Sequence, residues 1–272
     1  MPVADFITER LSPAAVNGGL CGKLVEAFTN GKRCEMVPMI AARASRIWYE
    51  AFALNESNIR TLLGLSSGTL VDCGCGDGRI TADLAAKVGF SKAVGLEIDG
   101  EMAKQAASLG IEVVASDLNV SIPLEDGYAD AVVANQIIEH LRDSDRLLSE
   151  VSRILKPGGL LVLSTENIAS WHNIAAAVMG WQPFSLTNIS SVEAGVGNPV
   201  ALHRGGEGVP VPMQHLRIFT VRALCELGAL HDFEPAAVMG AGYFPFAGRM
   251  ALWLSERDPR HCIFITVALR KV

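Results

Sequence analysis

The sequence is short of charge. Asp, Glu, Lys and Arg make up 19% of its 272 residues, against ~25% in ordinary soluble domains, while hydrophobic residues make up 50%. A chain of this length and composition buries a core, which excludes a disordered polymer. Basic runs are absent as well. Lys32-Arg33 and Arg270-Lys271 stand isolated, and the net charge is -6. Nucleic-acid binding draws most of its affinity from phosphate neutralisation, so a DNA or RNA partner is disfavoured. No C-x-x-C occurs. The cysteines are Cys21, Cys34, Cys73, Cys75, Cys225 and Cys262, and only Cys73 and Cys75 are close. That is neither a zinc ladder nor a disulfide framework, so no metal is expected and the thiols are read as reduced and cytoplasmic. Met1-Pro2-Val3-Ala4-Asp5 has neither region of a signal peptide, and no apolar run reaches the ~18 residues of a membrane span. Repeats and low-complexity tracts are missing too.

What is present falls into two patterns. Residues 1–66 read as a helical cap. Arg33 to Ala53 carries Met36, Ile40, Ile47 and Phe52 among alanines, and Asn55 is expected to cap a second short helix ending at Gly64. From Thr69 onward, short apolar runs alternate with amphipathic segments. Strands are expected at Leu70-Val71, Ala93 to Leu96, Ile111 to Ala115, Ala129 to Ala134 and Leu160 to Leu163. Helices between them include Glu101 to Leu109, and one capped by Asp143 with Leu147, Leu148, Val151, Ile154 and Leu155 on one face. Such alternation means a parallel sheet with helices on both faces. Residues 165–218 break the rhythm and read as an insertion, with a helix over Ser170 to Val178. A helix over Thr220 to Leu227 and strands near Ala236 to Val238 and Cys262 to Leu269 follow. The second domain is therefore 67–272, with the insertion inside it.

The chemistry concentrates in Val71-Asp72-Cys73-Gly74-Cys75-Gly76-Asp77-Gly78-Arg79. Glycines where a strand turns into a helix let the backbone approach a ligand closely. The next strand ends in Glu97, a carboxylate able to accept two hydrogen bonds from a ribose diol. Arg79 stands where a dinucleotide loop needs its third glycine, and no G-K-[ST] follows. Asp72 would repel a pyrophosphate. It suits a ligand bearing an ammonium and a sulfonium.

With Glu97, this loop resembles that of the class I S-adenosylmethionine-dependent methyltransferases, and most of all the small-molecule group of ubiquinone and menaquinone biosynthesis. Further matches follow in order: Ser116-Asp117-Leu118, Tyr128-Ala129-Asp130-Ala131-Val132-Val133, Ile138-Glu139-His140-Leu141 and Lys156-Pro157-Gly158-Gly159. The resemblance covers residues 67 to 168. It implies a Rossmann-like, doubly wound, seven-stranded sheet with N-terminal helices and a lid inserted after strand 5. It implies a cofactor, S-adenosylmethionine, held by Asp72, Gly74, Cys75, Gly76, Gly78, Glu97, Ile98, Asp117, Leu118, Asn135 and Gln136. Asp117 would accept from the adenine amino group, Leu118 would pack on the ring, and the Asn135 carbonyl would lie near the methionine ammonium.

Methyl transfer needs positioning and water exclusion, and some acceptors also need a base. His140, on the strand-four turn, is one candidate; the same Glu-His pair equally suits a scaffold hydrogen bond. His215 and Arg217, in His215-Leu216-Arg217-Ile218-Phe219-Thr220, resemble a segment that completes the pocket in some relatives. Trp171 and His172 lie in the insertion, whose apolar character suits an apolar or aromatic small-molecule acceptor or a contact between two copies in a homodimer. Ala134-Asn135-Gln136-Ile137 is not the [DNS]-P-P-[FYW] of base-amino DNA methyltransferases. Methylation of a small acceptor is therefore the expectation. A protein or RNA methyltransferase, and a non-catalytic S-adenosylmethionine-binding partner, are the rivals.

Overall fold

The computed structural model describes residues 36–272. The part of the expected cap up to residue 35 lies outside the described residues, with Cys21, Cys34 and Lys32-Arg33. From there helix α1 runs unbroken over Met36–Leu63. This corrects the expected break: Asn55 caps nothing and sits mid-helix, fully buried. An asparagine competes with a helix only when its side chain turns to its own backbone. Here that side chain is engaged by Asn135, Ser164 and Thr266, so the helix continues.

The sheet has seven strands: β1 Thr69–Cys73, β2 Lys92–Glu97, β3 Glu112–Ala115, β4 Ala129–Asn135, β5 Leu155–Glu166, β6 Phe233–Ala241 and β7 Phe264–Lys271. Their order is β3-β2-β1-β4-β5-β7-β6. The first five are parallel, and β7 runs antiparallel between β5 and β6. Neighbouring residues of a strand point to opposite faces. Val71 and Val132 join one core with Leu148, Val151 and Leu161, while Leu70 and Val133 join the other with Ile59, Leu84 and Val88. Burial on both faces explains why these strands read as continuous apolar runs. Strand β6 extends further than expected and contains Pro235, tolerated at a register shift on an edge strand.

Helices α2 Arg79–Val88, α3 Gly100–Ser108, α4 Ser144–Ile154, α5 Trp171–Val178 and α6 Val221–Ala229 follow the expected pattern. Asp99, Asp143 and Thr220 cap α3, α4 and α6 through their side chains. Helix α7, Gly248–Arg257, was not expected. Ala247 at its start offers no side-chain cap, so its first turn has no sequence signature.

Two compact units emerge. Ile47–Trp171 and Leu216–Val272 form one and hold the whole sheet. His172–His215, with the described residues up to Arg46, form the other. The inserted unit has its own scaffold. Buried Asn198 donates to the Gln182 carbonyl (2.8 Å), Gln182 N–H donates to the Gly197 carbonyl (3.0 Å), and Asn173 donates to the Ser185 hydroxyl (2.8 Å). No helix among the described residues is long and apolar enough to cross a membrane.

Candidate cofactor site

Parallel strands β1, β2 and β4 all end on one rim, where their loops must turn back. The β1 loop is drawn against β2 by Gly74 N–H, which donates to the Leu96 carbonyl (2.9 Å). Two glycines there do different work. Gly78 has φ 79°, and a Cβ on it would lie 2.7 Å from Ala106, so it lets α2 start flush against α3. Gly76 has φ 56°, but a Cβ there would meet nothing within 4 Å. Its bare backbone faces a cavity of about 200 Å³, lined by Phe52, Asp72, Gly74, Cys75, Gly76, Asp77, Ile80, Asn135 and Gln136.

Asp72 is the unusual group of this cavity. It is 3% exposed. The Thr81 hydroxyl donates to its Oδ2 (2.5 Å), and its Oδ1 has no hydrogen-bond partner. Burial pushes its carboxyl up to about 6; the Thr81 bond works against this and the charge of Glu97 adds to it. A buried carboxylate oxygen without a donor is costly, and an ammonium entering the cavity would satisfy it.

Glu97 is already engaged. Its Oε2 accepts from Gly76 N–H (2.8 Å), and its Oε1 from Ile98 and Asp99 N–H (2.9 Å each). One carboxylate thus pins the glycine loop to the head of β2, leaving Oε2 with room for a further donor. Ile98 follows it and is 68% exposed, an apolar side chain standing bare beside a polar loop. Asp117 is exposed and accepts from Asn119 N–H (2.9 Å) and Nδ2 (3.1 Å). Leu118 is buried in the main core.

At the head of β4, Asn135 and Gln136 both reach the cavity. Gln136 has φ 54°, a left-handed conformation rare for a side-chain-bearing residue. Turned over, its amide donates to Glu139 Oε1 (3.2 Å) and accepts from Thr165 N–H (3.2 Å), which pairs each donor with an acceptor. Glu139 is fully buried. Burial pushes its carboxyl up to about 8, helped by the neighbouring charge of Glu166.

Of the expected acceptor-side residues, His140 closes the 3-10 turn Ile138–His140, directly after β4. Trp171 donates from Nε1 to the Tyr243 hydroxyl (2.7 Å) and stacks on the His261 ring at 4.5 Å. The Arg217 guanidinium donates to the Ser144 hydroxyl (3.0 Å) and the Arg142 carbonyl (2.6 Å), which occupies it with its own fold. In the inserted unit, burial lowers His172 to about 4, and its ring lies 5.5 Å from Phe184. His215 Nδ1 lies 2.7 Å from the Ser185 carbonyl, and burial lowers its pKa as well.

Phe52, an apolar residue of the expected N-terminal helix, lines the cavity. Sequence reasoning missed two groups. Asn55 reaches β4, β5 and β7. Asp258 accepts from Tyr243 Oη (2.8 Å) and lies 2.7 Å from His261 Nδ1, a carboxylate–imidazole pair behind Trp171. Neither has a motif around it.

A mostly parallel seven-stranded sheet with β7 reversed, and a ligand cavity at the heads of β1 and β4, is the class I methyltransferase fold. A solved structure from Thermotoga maritima, described as a SAM-dependent methyltransferase and possible histamine N-methyltransferase, shares it. Its TM-score is 0.55 at 19% identity, over 83% of this chain and 91% of that one. Residues 71–163 match the sequence model of the family described as "Methyltransferase domain". A probable S-adenosylmethionine-dependent methyltransferase of Mycolicibacterium smegmatis is 36% identical over 99 residues, 36% of this chain and 38% of the relative. A ubiquinone biosynthesis O-methyltransferase of Bradyrhizobium sp. is 28% identical over 165 residues, 58% of this chain and 64% of the relative. In both, the match spans less than two thirds of the relative's own length. Residues 71–163 thus match a methyltransferase domain, within a class I methyltransferase fold.

Proposed function

We propose that the chain transfers a methyl group from S-adenosylmethionine to a small organic acceptor and releases S-adenosylhomocysteine. The observation that carries this reading is the orphaned Oδ1 of buried Asp72, on the wall of the rim cavity. When bound, S-adenosylmethionine supplies an electrophilic methyl group on a sulfonium. The chain's residues hold, orient and screen. Asp72 takes the ammonium, and Gly74, Gly76 and Gly78 let the backbone come close. Cys75, Asn135 and Gln136 form cavity wall. Glu97 receives a ribose hydroxyl at Oε2, and Ile98 offers its bare face to the adenine. Asp117 stands further along that rim, where it accepts from the adenine amino group, while Leu118 beside it packs into the main core.

On the acceptor side, Trp171 is a platform for an apolar or aromatic compound, steadied by Tyr243 and His261. His140, in the turn directly after β4, is one candidate proton acceptor, and His215, whose pKa burial lowers, is the second. Reduced cysteines suit a cytoplasmic enzyme. Calorimetric titration with S-adenosylmethionine, S-adenosylhomocysteine and NAD tests the reading. Micromolar binding of the first two without NAD is the expected result. NAD binding, or no binding of S-adenosylhomocysteine, overturns it.

A further inference from the structure

Asn55 has no exposed surface and does not line the cavity, yet it is bonded on every side. Its Oδ1 accepts from the Ser164 hydroxyl of β5 (2.6 Å) and the Thr266 hydroxyl of β7 (2.9 Å). In this orientation the amide oxygen meets both hydroxyls. Its Nδ2 then donates to Asn135 Oδ1 (2.9 Å), at the head of β4. A primary amide has one oxygen and one nitrogen. With Oδ1 of Asn135 committed to α1, Nδ2 is the side-chain polar atom Asn135 has left for the cavity it lines. The same cavity carries the orphaned acceptor of Asp72. A donor beside an anionic acceptor complements the carboxylate and ammonium of an α-amino acid.

We propose that Asn55 is a positioning residue: by holding the Asn135 amide in one orientation, it sets the affinity of the cavity for the amino-acid end of its ligand. This rests on the S-adenosylmethionine reading above. The adenosine end, served by Glu97 and Ile98, is outside its reach. A helix residue that only braced the fold would not distinguish the two ends. Asn58 provides that contrast, because it lies on the same helix, is buried, and donates to the Gly240 carbonyl (3.0 Å) away from the cavity.

The test is calorimetry on the full chain with two probes, S-adenosylhomocysteine and 5′-methylthioadenosine, which lacks the amino-acid end. Asn55→Ala is expected to weaken S-adenosylhomocysteine about tenfold and to leave 5′-methylthioadenosine within about twofold, the scale of one hydrogen bond. Asn58→Ala is expected to lower the melting temperature and to treat both probes alike. Thr266→Val removes one hydroxyl behind Asn55 and leaves the amide in place. It is expected to give the same selective loss at smaller size, which keeps the test standing if Asn55→Ala does not fold. Equal weakening of both probes in the Asn55 and Thr266 variants, or no weakening of S-adenosylhomocysteine, overturns the proposal. A wild-type protein that binds neither probe overturns the donor reading itself, and the inference with it.

Discussion

Two hollows open at opposite ends of the same strands. The cleft at the foot of β1, β4 and β5 is the larger, about 600 Å³, lined by Leu62, Leu65, Phe90, Asp130 and Arg270 among others. The cavity at the head is about 200 Å³. Size would favour the foot. At the foot, however, Asp130 accepts from Thr69 N–H (2.8 Å) and Lys156 Nζ (2.7 Å), and Arg270 donates to the Gly158 carbonyl (2.8 Å). Lys156, then Thr69, hold the Asp130 carboxyl below its usual range. At the head, the Asp72 carboxyl is pushed the other way and keeps an oxygen unserved. The proposal of a ligand site at the head rests on that unserved oxygen and not on volume.

That contrast can be broken from either end. The largest effect is expected at Gly78→Ala, where a Cβ would press on Ala106 and φ is positive. About 3 kcal/mol of stability should be lost, read from denaturant midpoints. Asp72→Asn should weaken S-adenosylhomocysteine by about 2–3 kcal/mol through loss of a charge-assisted bond, with the fold retained. Undiminished affinity would place the ammonium elsewhere. Glu97→Ala should cost about 1–2 kcal/mol of the same affinity. The smallest effect is expected at the foot, where Arg270→Ala should change binding not at all and stability by less than about 0.5 kcal/mol.

Acidity sharpens the same comparison. Asp72 binds its proton more readily in the folded state than in the unfolded one. Its contribution to stability therefore falls as pH rises from about 4 to 6 and is flat above that. Ligand binding should run oppositely, since the ammonium needs the charged carboxylate, and S-adenosylhomocysteine affinity should drop below pH 6. Both slopes should vanish in Asp72→Asn. Calorimetry and thermal melts across about pH 4–8 measure them.

The head of the sheet was legible because its requirements are local. A strand, glycines and an acid at the next strand end are each written within a few residues, and β1, β2, β4 and the cap Asp143 followed from them. Asn55 was misread because its partners lie at 135, 164 and 266; a buried asparagine looks like a cap until tertiary structure supplies them. Leu118 was expected on an adenine ring and is found in the main core, since an apolar residue after a strand fits either place. The pair Asp258 and His261 carried no local signal, and α7 lacked the cap that would have announced it.

Strand β7 has one more consequence. Its pairing with β5, from Glu166 opposite Phe264 to Leu160 opposite Arg270, closes a loop of roughly a hundred residues, and the inserted unit lies within that loop. Closure entropy grows only with the logarithm of loop length, so halving or doubling the loop changes its cost by about 0.6 kcal/mol. The sheet is nearly indifferent to how long the insertion is. That segment can lengthen or shorten while β5 and β7 stay paired as they are.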